Sequence, residues 1–230
     1  LFVTNFEGEH NAFYEQDAGG FFSEVSHIRG LADMLVDQDG DADEVCAAFV
    51  NGFLRSADYE EAFVVIDQWK QSYPHDPRPH FANGKVQDYL SNWPVAEREY
   101  RDALAKQPDH YPSAYSLARL LLSNNHPVDA LPLFTLCSRV EYNAAPLIGM
   151  AKCLRQTGDN ATARECLMNV LARSAEHRAL SFQRLHEQEE GNSAEVELGN
   201  LELAAGNYQV ALEHFNRAFI ANPRDLEVRY

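Results

Sequence analysis

Five alanines set the frame of this chain. Ala62, Ala96, Ala130, Ala163 and Ala211 follow one another at intervals of 34, 34, 33 and 48 residues. Four residues after each stands a large apolar or aromatic side chain: Ile66, Tyr100, Phe134, Leu167 and Phe215. Three further on come Trp69, Ala103, Cys137, Val170 and Ala218. Twelve residues before each alanine stands Val50, Gly84, Ala118, Ala151 or Gly199, mostly small, and Pro74, Pro108 and Pro223 close three of the units. A period of this length means stacked supersecondary units, each burying its apolar face against a neighbour.

The pattern resembles the tetratricopeptide repeat, a family of paired antiparallel helices. Small residues stand at position 8 (Val50, Gly84, Ala118, Ala151, Gly199) and position 20 (the five alanines), where helix A and helix B of that family approach closely. Proline at the end of helix B stops it. Clear copies are LARLLLSNNHPVDALPLF (117–134), GMAKCLRQTGDNATARECL (149–167) and LGNLELAAGNYQVALEHFNRAFIANP (198–223). The resemblance implies an all-α fold, a right-handed superhelical solenoid of antiparallel helix pairs. Its repeats run 43–76, 77–110, 111–143, 144–177 and 192–225. The second unit departs from the pattern, with Asn83 and Gln87 at positions 7 and 11. A shift of its first helix by one residue would bury Phe81, Val86, Tyr89 and Leu90 instead.

Three segments lie outside the five units. Residues 178–191 are an insertion, read as an extension of the preceding helix B or as a short extra helix. Gly191-Asn192-Ser193 then reads as a stop followed by an N-cap. Residues 1–42 form an acidic leader whose first 20 residues look irregular. In it Phe21, Phe22, Val25, Ile28, Leu31, Ala32, Leu35 and Val36 form an apolar stripe at helical spacing, read as one helix of a degenerate repeat or a cap. At the other end, residues 226–230 continue from Asp225 as the start of a further helix. The last helix B is then expected to be covered either by chain beyond Tyr230 or by another molecule.

Charge narrows the partners. The chain of 230 residues has 19 Lys and Arg against 35 Asp and Glu, a formal charge of −16. Residues 1–43 contain ten of the acids and one base, so they hold more than half of that charge. An acidic surface repels phosphates, which argues against nucleic acid as a partner. No window approaches the ~20 apolar residues of a membrane span, so membrane insertion is not expected. Compartment is not legible, with a soluble, cytoplasmic setting favoured. The chain begins at Leu1 rather than Met, which reads as a processed form or an excerpt.

Catalytic and metal-binding patterns are not found. Cys46, Cys137, Cys153 and Cys166 lack CxxC spacing, which leaves buried free thiols or one chance disulfide. DQDGDADE (37–44) fails as a calcium loop starting at Asp37, because Ala42 and Ala48 stand where glycine and glutamate are needed. It reads as an acidic turn whose Asp43 caps the first repeat helix. HEQEE (186–190) lacks the second histidine of a zincin helix, and prolines separate His75 from His80. No nucleophile elbow, Walker loop or dinucleotide fingerprint occurs. The expectation is a non-enzyme with no cofactor, no metal and no catalytic residues.

The resemblance places function on the helix-A faces that line the groove of the family. Position 9 there reads Asn51, Lys85, Arg119, Lys152 and Asn200: three bases and no acid, where composition predicts about 0.4 bases. Arg78, Arg155 and Arg55 at positions 2, 12 and 13 extend the cationic character, and Phe81, Tyr115 and Ile148 at position 5 add apolar and aromatic contacts. Such a surface suits an extended peptide or helix of a protein partner that carries carboxylates. The acidic leader covering the stripe from within is the intramolecular counterpart. The carboxylate clamp of chaperone-tail binders is not matched: Asn51 fits, but Ala47, Ala82, Pro112 and Ser116 fill its other places. The alternatives are self-assembly into homo-oligomers through the solenoid ends, or a regulatory region of a larger enzyme.

Overall fold

In this computed structural model the described residues are 2–4, 12–16, 22–24, 42–140, 144–178 and 184–221. They hold ten helices: α1 (Ala42–Ser56), α2 (Tyr59–Ser72), α3 (Arg78–Tyr89), α4 (Trp93–Lys106), α5 (Tyr111–Ser123), α6 (Pro127–Val140), α7 (Ala144–Thr157), α8 (Asn160–Arg178), α9 (Arg184–Ala204) and α10 (Tyr208–Ala221). The chain divides into two compact units, residues 1–113 and 114–230, with the boundary inside α5. Odd-numbered helices are the A helices of the repeats and even-numbered helices are the B helices.

The repeat columns explain the packing of both units. Ala62, Ala96, Ala130, Ala163 and Ala211 are all buried, and so are Ile66, Tyr100, Phe134 and Leu167 four residues on. Glycine at position 8 is required by contact in two of the units. A β-carbon on Gly84 would stand 2.5 Å from the Tyr100 ring, and one on Gly199 would stand 2.5 Å from the Phe215 ring. In the first unit Val50, Phe53, Val65, Ile66, Trp69 and Val86 form one apolar core. In the second, Leu154, Leu167, Val170, Leu198 and Leu201 form another.

The turn between helices A and B repeats as faithfully as the core. Position 15 takes a positive φ in every unit: Ala57 (63°), Ser91 (58°), Asn125 (63°), Gly158 (91°) and Gly206 (80°). That left-handed residue lets the next backbone N–H turn back and cap helix A. Asp58, Asn92, His126, Asp159 and Asn207 donate to the carbonyls of Phe53, Gln87, Leu121, Leu154 and Glu202 at 2.8–2.9 Å. The same five polar residues then begin helix B, and the Asp159 carboxylate also accepts from the Thr162 backbone N–H at 3.2 Å.

Four expectations need correction. Residues Phe2–Thr4 (β1), Ala12–Gln16 (β2) and Phe22–Glu24 (β3) form an antiparallel sheet in the order β1-β2-β3, with Val3 opposite Phe13 and Glu15 opposite Ser23. Strand β3 stands where the apolar stripe suggested the first turn of a helix, and β1 and β2 stand where irregular chain was expected. The aromatic and β-branched residues here suit paired strands as well as a helix face. The rest of the stripe, in 25–41, lies outside the described residues. Second, α3 is not shifted: Asn83 is buried, and of the residues expected to be buried instead Val86 is buried and Phe81 half-buried, while Tyr89 and Leu90 are 65 % and 44 % exposed. Third, α9 runs unbroken from Arg184 through Gly191-Asn192-Ser193 to Ala204, so part of the insertion extends helix A of the last repeat. Fourth, α1 begins at Ala42, which puts Asp43 in its first turn rather than at its cap. The proposed helix beyond Asp225 lies outside the described residues.

Candidate functional site

Polar groups buried between helices come first, because each must be satisfied or paired. Asn83, the misfit at position 7, donates to Glu99 Oε1 at 2.9 Å. The other oxygen of Glu99 meets Lys70 Nζ at 2.7 Å and His80 Nδ1 at 2.9 Å. His80, Glu99 and Asp102 bring one ligand atom each within 4.8 Å of one another, a spacing that would suit a metal ion. The donor set argues otherwise. An ammonium already sits where a cation would bind Glu99, and Asn83 holds its second oxygen. This is an ion-pair hub that ties α2, α3 and α4 together.

Burial makes Cys153 and Cys166 poor nucleophiles. None of the four cysteines forms a disulfide, and Cys46, Cys137 and Cys153 are buried. Burial pushes the Cys153 thiol up to about 11 and moves Cys166 in the same direction. Both therefore stay protonated and unreactive near neutrality.

The helix-A surface of the first unit holds four of the expected binding residues. Lys85 Nζ donates to Asn51 Oδ1 at 3.2 Å, so the position-9 side chains of α1 and α3 meet as the ladder requires. The ammonium also lies 5.9 Å from the centre of the Phe81 ring. Phe81 is half-buried, with Tyr100 at 6.0 Å and the edge-on His110 ring at 5.7 Å. Burial lowers the Lys85 pKa below its usual value, because no carboxylate among the described residues compensates the lost hydration. Arg78 is differently placed. Its Nε contacts Asp76 at 2.9 and 3.0 Å, and its guanidinium lies 5.9 Å from the Trp69 ring centre. It borders a cavity of about 540 Å³ with His75, Gln107 and His110.

The second unit holds the other six. Arg119 is exposed on α5, Tyr115 is half-buried with its ring edge-on to Phe134 at 5.9 Å, and Asn200 is half-buried on α9. Ile148 is only 7 % exposed and belongs to the apolar core, so it has little surface to offer a ligand. Lys152 and Arg155 converge on one carboxylate: Nζ of Lys152 is 3.5 Å from Glu197 Oε1, and Nε of Arg155 is 3.3 Å from Glu197 Oε2. The cationic column is therefore partly neutralised from within this unit.

Glu197 escaped the reading of position 9, yet its signal was present. Position 6 reads Ala48, Ala82, Ser116, Gly149 and Glu197, one charge in a column of small residues. Glu99 stands out in the same way at position 23, among Val65, Leu133, Cys166 and His214.

Paired antiparallel helices, small residues at positions 8 and 20 and a left-handed turn at position 15 define a repeat scaffold. The tetratricopeptide-repeat family model matches residues 81–136 and 196–230. Over those residues the match makes the helices tetratricopeptide repeats, and the other described helix pairs share their fold and register. The structure of MamA, residues 41 to the end, from Desulfovibrio magneticus RS-1 is similar at 17 % identity and a TM-score of 0.65, over 81 % of this chain and 98 % of that one. YrrB, described as a TPR protein with an unusual peptide-binding site, is similar at 15 % identity and a TM-score of 0.64, over 89 % and 96 %. PilW, a type IV pilus biogenesis factor, is similar at 17 % identity and a TM-score of 0.52, over 83 % and 98 %. At such identities the likeness shows the fold alone. No curated protein matches the chain by sequence. Among the described residues no helix is long and apolar enough to cross a membrane.

Proposed function

We propose that this chain is a non-enzymatic scaffold that captures a peptide or helix of a protein partner on its helix-A faces, through carboxylates of that partner. The observation that carries the reading is Lys85. It is a half-buried ammonium with an amide and an aromatic ring beside it and no acid among the described residues to pair with. An incoming carboxylate would restore what burial took from it, and the Phe81 ring offers adjacent apolar contact. Arg119 and Lys152 repeat the charge at the same position in the second unit. The fold is one whose family serves as interaction scaffolds, and the peptide-binding site described for YrrB gives a precedent for this use.

The structure changes how the test should be built. Charge reversal at Lys152 would set a new carboxylate beside Glu197, so loss of binding could reflect repulsion within the protein. The combination Lys85→Glu, Arg119→Glu and Lys152→Met avoids that. On an array of paired peptides differing only in Glu or Asp against Gln or Asn, the wild type should prefer the acidic members. The triple variant should lose that preference, with affinity about tenfold lower or more, at unchanged helicity by circular dichroism. Equal retention of acidic peptides by both proteins rejects the proposal.

A further inference from the structure

We infer that Lys152 and Arg155 form a subsite for a single carboxylate of a protein partner, and that Glu197 fills this subsite in the free chain as an internal substitute. The inference rests on the scaffold reading above and adds a named competitor to it. Lys152 and Arg155 are three residues apart on α7 and share a face. Their side chains remain 39 % and 32 % exposed, while that of Glu197 beneath them is 10 % exposed.

Among the described residues, the other acids held between helices are bonded differently. Glu99 accepts three hydrogen bonds at 2.7–2.9 Å. Glu202 is bonded by Asn207 at 2.7 Å and by Arg164. Glu195 contacts His214 Nδ1 at 2.7 Å and Arg217 Nε at 3.0 Å. Glu197 has two cations near it, but its Oε2 and the Arg155 Nε are both buried and make no hydrogen bond. The two atoms are 3.3 Å apart in a geometry that an N–H···O bond does not accept. Charge holds Glu197 in place without the directional bonds that normally offset burial of a carboxylate.

A carboxylate arriving from outside can offer Arg155 the in-plane geometry that Glu197 does not. The three side chains together carry one net positive charge, which one carboxylate neutralises. A phosphate dianion would overshoot. Glu197 thus acts as a brake: it holds the cations in the free chain and weakens binding by the same interaction that the ligand uses.

The test uses the 230-residue chain, with an acetylated, amidated peptide of alternating Ala and Glu as probe and its Ala and Gln counterpart as control. Glu197→Gln keeps the shape and removes the charge. Fluorescence anisotropy should show about tenfold tighter binding of the acidic probe to that variant than to the wild type. Adding Arg155→Met or Lys152→Met to it should cancel the gain. In the wild type, the Arg155 Nε–H resonance should move with the acidic probe and stay fixed with the control, a readout independent of any variant's folding. Unchanged or weaker binding by Glu197→Gln, with a lower melting temperature, would make Glu197 a structural strut and overturn the inference. If Lys85→Met still weakens the probe in that case, the scaffold reading survives alone. Failure of every form to bind the probe overturns both.

Discussion

Gly84 shows how closely one residue type is fixed by another 16 positions away. Helix α3 must approach α4 until the Tyr100 ring covers the Gly84 α-carbon, and a β-carbon there would overlap the ring at 2.5 Å. Tyr100 is itself buried, so its ring has little room to retreat. Gly84→Ala should therefore destabilise the chain by about 1–3 kcal/mol, the usual cost of overpacking. Gly52 in α1 supplies the control, because a β-carbon there meets nothing within 4 Å. Gly52→Ala should be neutral or gain about 0.5–1 kcal/mol from helix propensity. Urea denaturation of both variants decides the matter, and equal effects would refute the close approach. At this scale the core was legible in the sequence, because small and large residues recur in phase. The polar core was not. Asn83 reads as a misfit until Glu99, on the next helix, is seen to accept its N–H.

The turn between the helices of a repeat is the element that the apolar pattern says least about. Its left-handed residue is glycine in only two of five units, at Gly158 and Gly206. Ala57 and Ser91 occupy the same conformation with a β-carbon, which costs an L-residue roughly 1–2 kcal/mol. Ala57→Gly and Ser91→Gly should each raise stability, by about 0.5–1 kcal/mol after the greater freedom of glycine in the unfolded chain is deducted. A fall in the denaturation midpoint would mean that these residues do not hold positive φ in solution. Where elements were misread, a local signal had two meanings. Gly191-Asn192-Ser193 resembles a stop, yet α9 runs through it, since one helical glycine costs only about 1 kcal/mol and Leu198 and Leu201 further along hold the helix to its core. The short N-terminal strands carry no 34-residue period and so fall outside the frame that made the rest readable. On α10 the frame also leaves Tyr208 and Ile220 exposed at 71 % and 77 %, apolar side chains at the outer surface of the last described helix.

For the molecule as a whole, the net charge and the proposed binding chemistry have opposite signs, and distance decides which governs. The chain carries −16 while the expected ligand is acidic. At a separation of ~30 Å two charges in water interact by roughly 0.14 kcal/mol, so 16 excess charges repel each ligand carboxylate by about 2 kcal/mol before screening. A few local cations cannot reverse that at long range. Close to the surface they can, because Lys85 and its counterparts then lie within hydrogen-bonding reach. Raising the ionic strength from about 0.01 M to about 0.1 M shortens the Debye length from roughly 30 Å to roughly 10 Å, which removes the repulsion before it removes the contact. Association of an acidic peptide should therefore become faster with added salt over that range, while dissociation also becomes faster. Most charge-matched pairs show the opposite salt effect on association. Stopped-flow mixing with a labelled Ala-Glu peptide separates the two rates. An association rate that falls steadily with salt would mean that the ligand meets a net attractive field well before contact, and that the acidic surplus lies where an approaching peptide does not feel it.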